Sequence, residues 1–180
     1  MVRNKVFIFI ALLVSVVIVL SGCASPASKD AVVAHNIPIT QHHQKSVSVN
    51  TQGGSETGAM DSSNISNSDF AKAIEESIVK NGLFTQIIHS GDSDYLLNVT
   101  IINMSKPMFG ASFTVRMEAA WSLSEQKTKK VVMRDSIESS HTATMGQAFV
   151  GVTRLRLAVE GAIQENIRLG LMGISRLHLD

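Results

Sequence analysis

Between residues 111 and 124 the side chains alternate. Phe113, Val115, Met117, Ala119, Trp121 and Leu123 are apolar, and Ser112, Thr114, Arg116, Glu118 and Ser122 between them are polar. A period of two places the sets on opposite sides of a strand, so this run predicts a strand covered on one face and wet on the other. A polar turn at 125–129 leads into 130–144, where Val131, Met133 and Ile137 oppose Val132, Arg134, Ser136 and Glu138. Together the runs predict a long hairpin whose outer face carries Arg116, Glu118, Arg134 and Glu138. Cross-strand ion pairs are one expectation for that face, and a partner surface is the other.

Upstream, residues 95–104 are apolar on both faces, with Tyr95, Leu97, Val99 and Ile101 set against Leu96 and Ile102, which predicts a central strand. Val47 and Val49 alternate with Ser46 and Ser48, which predicts a first strand over 45–50. Phe70, Ile74 and Ile78 recur at helical spacing after Ser68-Asp69 and before Asn81-Gly82, a start, an apolar face and a left-handed stop. A short apolar piece follows Phe84. A second helix begins between 147 and 153, its stripe running through Val152, Leu155, Val159, Ile163, Ile167 and Leu171. Gly161 and Gly170 each cost that helix about 1 kcal/mol against Ala, so they mark either close packing on the sheet or a weak end near 170–173.

These elements predict an α+β two-layer sandwich, a mixed sheet of about four strands with two helices packed on one face. The order resembles that of small envelope lipoprotein domains, including the lipopolysaccharide-assembly lipoprotein family, over residues 45–177. The loop at 51–67, rich in Gly, Ser, Asp and Asn, is long for a compact domain and is a candidate contact region.

The N-terminus reads differently. Arg3 and Lys5 precede an apolar run over residues 6–20. At about 1.5 Å per residue that helix falls short of the ~30 Å hydrocarbon core of a bilayer, which suits a cleaved signal better than a spanning helix. Leu20-Ser21-Gly22-Cys23 resembles the lipobox of bacterial lipoproteins at each of its four positions. The resemblance implies a signal peptide over residues 1–22, diacylglycerol thioether-linked to Cys23, and an acyl chain such as palmitate on the new amine. Ala24, where inner-membrane lipoproteins carry Asp, implies an outer-membrane anchor facing the periplasm. Residues 23–44 have no sustained period and are expected to form a lipidated flexible tether, leaving 45–180 as one periplasmic domain.

Cleavage would lower the Lys plus Arg count from 16 to 14 against 15 Asp plus Glu, for a net charge near −1. Such a surface gives no general electrostatic grip on nucleic acid. With its single Cys lipidated, the mature chain would have no thiol for disulfides, metal ligation or catalysis. His35, His42 and His43 lack the spacing of a metal site, since adjacent strand residues point apart. Ser140 and His141 are likewise neighbours in a strand, and no Gly-x-Ser-x-Gly turn occurs. Glu75 and Glu76 diverge by about 100° on a helix and cannot share a substrate. No phosphate-binding glycine motif is present either. No catalytic residue, metal or cofactor is therefore assigned. The expectation is a non-catalytic outer-membrane lipoprotein, an accessory or partner-binding factor in envelope assembly or transport, with an envelope protein or lipid as partner. An envelope hydrolase with dispersed catalytic residues and a purely structural lipoprotein are the alternatives.

Overall fold

The alternating run forms a strand with a long strand on either side of it. In the computed structural model, which describes residues 24–58 and 62–179, strand β4 (Ser112–Glu125) lies between β3 (Tyr95–Ser105) and β5 (Val131–Thr144). With β1 (His43–Gln52) and β2 (Phe84–Ile87) they form one five-stranded sheet in the order β2-β1-β3-β4-β5. β1 is parallel to both β2 and β3, and β4 is antiparallel to both β3 and β5. The mixed sheet and the α+β class are as the periodicity predicts. The fifth strand is the short edge β2.

Helix α2 (Asn67–Asn81) connects β1 to β2, and α3 (Gly151–Ile174) follows β5; a single turn, α1 (Lys29–Val32), precedes β1. Phe70, Ile74 and Ile78 of α2 and Val159, Ile163, Ile167 and Leu171 of α3 are fully buried in one core with Leu97, Val99, Val115 and Trp121 of the sheet. The cap of helix α2 lies two residues before the expected one, because Ser66 rather than Ser68 accepts the Asp69 N–H at 3.1 Å. It stops at Gly82, whose φ of 62° suits a residue without a Cβ. Helix α3 does not fray near Gly170. It runs on to Ile174, and there the Ser175 hydroxyl donates to the Met172 carbonyl at 2.8 Å.

The expected tether is a correction. Residues 24–42 form a strap laid over the two long helices, with Ala27, Val32, Val33, Ala34 and Ile37 buried. Its backbone is held by side chains: Ser28 N–H donates to Glu160, Ala34 N–H to Ser77 and Ile37 N–H to Asn81, at 2.9, 2.9 and 2.8 Å. Asn81 and Gln164 in turn donate to the Ala34 and Val33 carbonyls, each at 2.9 Å. An irregular strap satisfied by partners distant in sequence shows no period, which is why the pattern looked like a linker. The folded domain therefore includes the strap rather than starting at 45. The 51–67 loop is also pinned at its base, where Ser55 N–H donates to the Ile65 carbonyl and Ile65 is buried.

Candidate functional site

The β4–β5 register sets the chemistry of the outer sheet face. Arg116 stands opposite Ser140, Glu118 opposite Glu138, and Ser122 opposite Arg134. The four charged residues do share one face, but the expected ion pairs among them are not made. Among the described residues none of the four belongs to a salt bridge. The register explains this: each Arg faces a serine, while the two carboxylates face each other, which is an unfavourable cross-strand combination. Glu118 is relieved by the Ser136 hydroxyl, which donates to it at 2.7 Å. Arg116, Arg134 and Glu138 project into solvent.

Around Arg116, Glu118 and Glu138, but not Arg134, lies an open groove of about 520 Å³. Asn103, Ser105, Arg116, Glu118, Glu138 and Ser140 line it, and it reaches round the β5 edge to Glu165 of α3. Glu165 is gripped by Arg168 through two hydrogen bonds of 2.7 and 2.6 Å. Those bonds hold its carboxyl below the usual carboxylate range, so it remains anionic at neutral pH. The floor elsewhere on this face is made of small amides and hydroxyls, such as the Asn50–Asn98 and Thr114–Thr142 pairs. The arrangement offers mixed charge and many donors and acceptors at little steric relief. It suits recognition of an extended polar or charged surface better than enclosure of a small molecule.

The remaining candidates separate. Leu20, Ser21, Gly22 and Cys23 lie outside the described residues. Ser140 opens into the groove, whereas His141 points to the opposite side of β5 and lies against Gly161 of α3. His89 meets Glu75 at 3.4 Å, but on open surface, and neither histidine lines the groove. His42 contacts the Gly82 carbonyl at 2.7 Å, while His43 is buried. Among the described residues no three His, Cys, Asp or Glu side chains gather as a metal site.

His43 has a structural use. Its Nε2–H donates to the Ile174 carbonyl at 3.1 Å, joining β1 to the end of α3, and its ring tilts on Phe84. Burial pushes its pKa below the ordinary histidine value. The unfolded chain takes up this proton near pH ~6.5 and the folded chain only at lower pH, so stability is complete above ~6.5 and declines as pH falls below it. Urea midpoints measured between pH 7.5 and 5.5 should fall in the native chain. His43→Gln, which does not titrate, should flatten that decline.

The sequence matches no family model and no curated protein. Solved structures do match in shape. The protein XCC0632 from Xanthomonas campestris, of family DUF330, superposes with a TM-score of 0.58 at 12% identity, over 79% of this chain and 91% of its own. The hypothetical protein CT253 from Chlamydia trachomatis gives 0.51 at 7% identity, over 73% and 93%. This chain shares their fold. A minor lipoprotein from Acinetobacter baumannii overlaps at 0.42 and 13% identity, over 72% and 92%, too loosely for its name to bear on this chain. The resemblance to lipopolysaccharide-assembly lipoproteins thus rests on element order alone.

Proposed function

We propose that this chain is a non-catalytic lipoprotein, anchored through Cys23 to the outer membrane and facing the periplasm, that binds an envelope protein or lipid through the groove between β3, β4 and β5. Residues 1–22 act as the export signal, and no cofactor enters the reading. The observation that carries the binding surface is the outer sheet face, with Arg116 and Glu138 in the groove and Arg134 farther along β5 outside its lining. These are charged side chains set on one face of a rigid sheet and left without ion-pair partners among the described residues. Exposed ion pairs contribute only about 0–1 kcal/mol to stability, so charges like these are inexpensive to reserve for a partner. Mixed sign favours orientation and partner choice over bulk attraction.

The test combines fractionation with cross-linking in intact cells. Cys23→Ser should leave the membrane fraction. Arg116→Glu with Arg134→Glu should lose a cross-linked adduct that the native chain forms, while the thermal midpoint of the domain stays within about 0.5 kcal/mol equivalent of native, as for other surface changes. Adducts unchanged by the double reversal would rule out this face as the contact.

A further inference from the structure

Two loops at one end of the sheet display large apolar side chains to solvent. The first, between β3 and β4, carries Met108 and Phe109, 83% and 86% exposed. The second, between β5 and α3, carries Phe149, 81% exposed, and Val150, 56% exposed. Ser112 pairs with Thr144 at the open end of the β4–β5 hairpin, so both loops leave the sheet side by side. Residues of this kind usually turn inward, since burying each would contribute about 1.5–3 kcal/mol. Grouped exposure on this scale marks a contact surface.

The tips are held in place rather than left loose. Arg154, at the start of α3 and only 6% exposed, reaches between the two loops. One guanidinium nitrogen donates to the Ala148 and Phe149 carbonyls at 2.8 and 3.0 Å, and the other to the Gly110 carbonyl at 3.1 Å. Its plane also lies 4.8 Å over the centre of the Phe113 ring. A buried cation thus ties the backbones of both loops together and presents their apolar residues outward. Neither loop contains an acidic residue between 105 and 112 or between 144 and 153. Nothing there would have to surrender a hydrated carboxylate on entering an apolar phase.

The course of the N-terminal strap points to what would cover this end. Lys106, at the base of the first loop, donates to the Ser63 carbonyl at 2.8 Å and also contacts Asn64. The Asn64 carbonyl in turn accepts the Ala27 N–H at 2.9 Å. The strap is therefore fastened beside the tips. Only Ala24, Ser25 and Pro26 separate Ala27 from Cys23, a reach of no more than about 14 Å for a fully extended chain. A lipid on Cys23 would hold this end, and no other, at the membrane.

We infer that Met108, Phe109, Phe149 and Val150 enter the lipid bilayer as a second membrane contact, orienting the domain with its β4–β5 turn pointing away. The inference rests on the Cys23 anchor of the proposed function. Two aromatic rings and two aliphatic side chains suit the boundary between headgroups and acyl chains, and the acyl anchor makes their insertion a local event rather than a search. With no cluster of free cations in either loop, insertion should not require anionic lipid.

The full-length chain, purified from membranes and reconstituted in phosphatidylethanolamine vesicles with or without phosphatidylglycerol, provides the test. Single cysteines at Phe109→Cys, Phe149→Cys and, in the distal β4–β5 turn, Lys127→Cys carry a polarity-sensitive fluorophore. Blue-shifted emission quenched by nitroxide-labelled acyl chains at 109 and 149, but not at 127, is the expected result. Labels at 109 and 149 quenched by aqueous iodide as strongly as at 127 would overturn it. So would a blue shift that responds to protein density and not to labelled lipid, which would assign the tips to a second copy of the chain. Mass spectrometry reads the Cys23 lipid separately. A lipidated chain with both tips in water overturns the insertion alone, an unlipidated one with tips in water overturns both readings, and an unlipidated one with quenched tips supports insertion without the anchor.

Discussion

Replacing Trp121 by Ala is expected to remove about 3–5 kcal/mol of stability, at least about a fifth of the roughly 5–15 kcal/mol a domain commonly has. The indole is fully buried in the middle of β4, against α3. Its Nε1–H donates to Asn166 at 2.9 Å, and the Asn166 amide donates to the Ile137 carbonyl at 2.8 Å and to the Ser139 hydroxyl at 3.3 Å. Ser139 then donates to the Ala162 carbonyl at 2.8 Å. The chain of bonds stitches β4, β5 and α3 together in an environment without solvent, where a missing partner costs about 1–3 kcal/mol by itself. Trp121→Ala both opens a cavity and strands the Asn166 oxygen. Trp121→Phe keeps most of the volume and strands only the oxygen, so it should lose roughly 1–3 kcal/mol. Urea unfolding of the three proteins gives the comparison. Equal losses for Ala and Phe would mean the hydrogen bond, not the packing, dominates this site.

That tryptophan is also where the sequence was most informative. A period of two over fourteen residues leaves one arrangement, because a slip of one position would move every apolar side chain into water. The buried face of β4 follows the alternation residue for residue, from Phe113 to Leu123. Helix α2 was equally legible, since its cap, stripe and glycine stop lie within one short segment.

What the pattern could not carry was information held between distant residues. The strap at 24–42 depends on Ser77, Asn81, Glu160 and Gln164, so its order cannot be seen in its own composition. The charged face was located correctly, yet its pairing depended on the hairpin register. A shift of two residues would have set Arg116 opposite Glu138; the actual register sets it opposite Ser140. The apolar tips left a faint signal, two large side chains inside the turn Pro107-Met108-Phe109-Gly110, where small polar residues are the rule. Only the shared end of the sheet and the Arg154 contacts connect that turn to Phe149.

Gly161 and Gly170 of α3 should respond in opposite directions to the same substitution. An ideal Cβ on Gly170 would lie 2.6 Å from the Trp121 ring, and one on Gly161 would lie closer still to the His141 ring. Alanine adds about 1 kcal/mol of helix propensity at either position, against about 1–3 kcal/mol for overpacking a site that cannot yield. The neighbours decide the outcome. Trp121 is enclosed on all sides and tied to Asn166, so Gly170→Ala should lose about 2 kcal/mol net, near the upper overpacking figure less the propensity gain. His141 is exposed on the edge strand β5 and has water to turn into, so Gly161→Ala should be neutral or gain up to about 1 kcal/mol. Thermal midpoints of the two single variants discriminate directly. Comparable losses at both would mean that His141 is fixed against α3 despite its exposure. A gain at both would mean that the α3–sheet spacing relaxes as a unit, and that the glycines are present for reasons other than close approach.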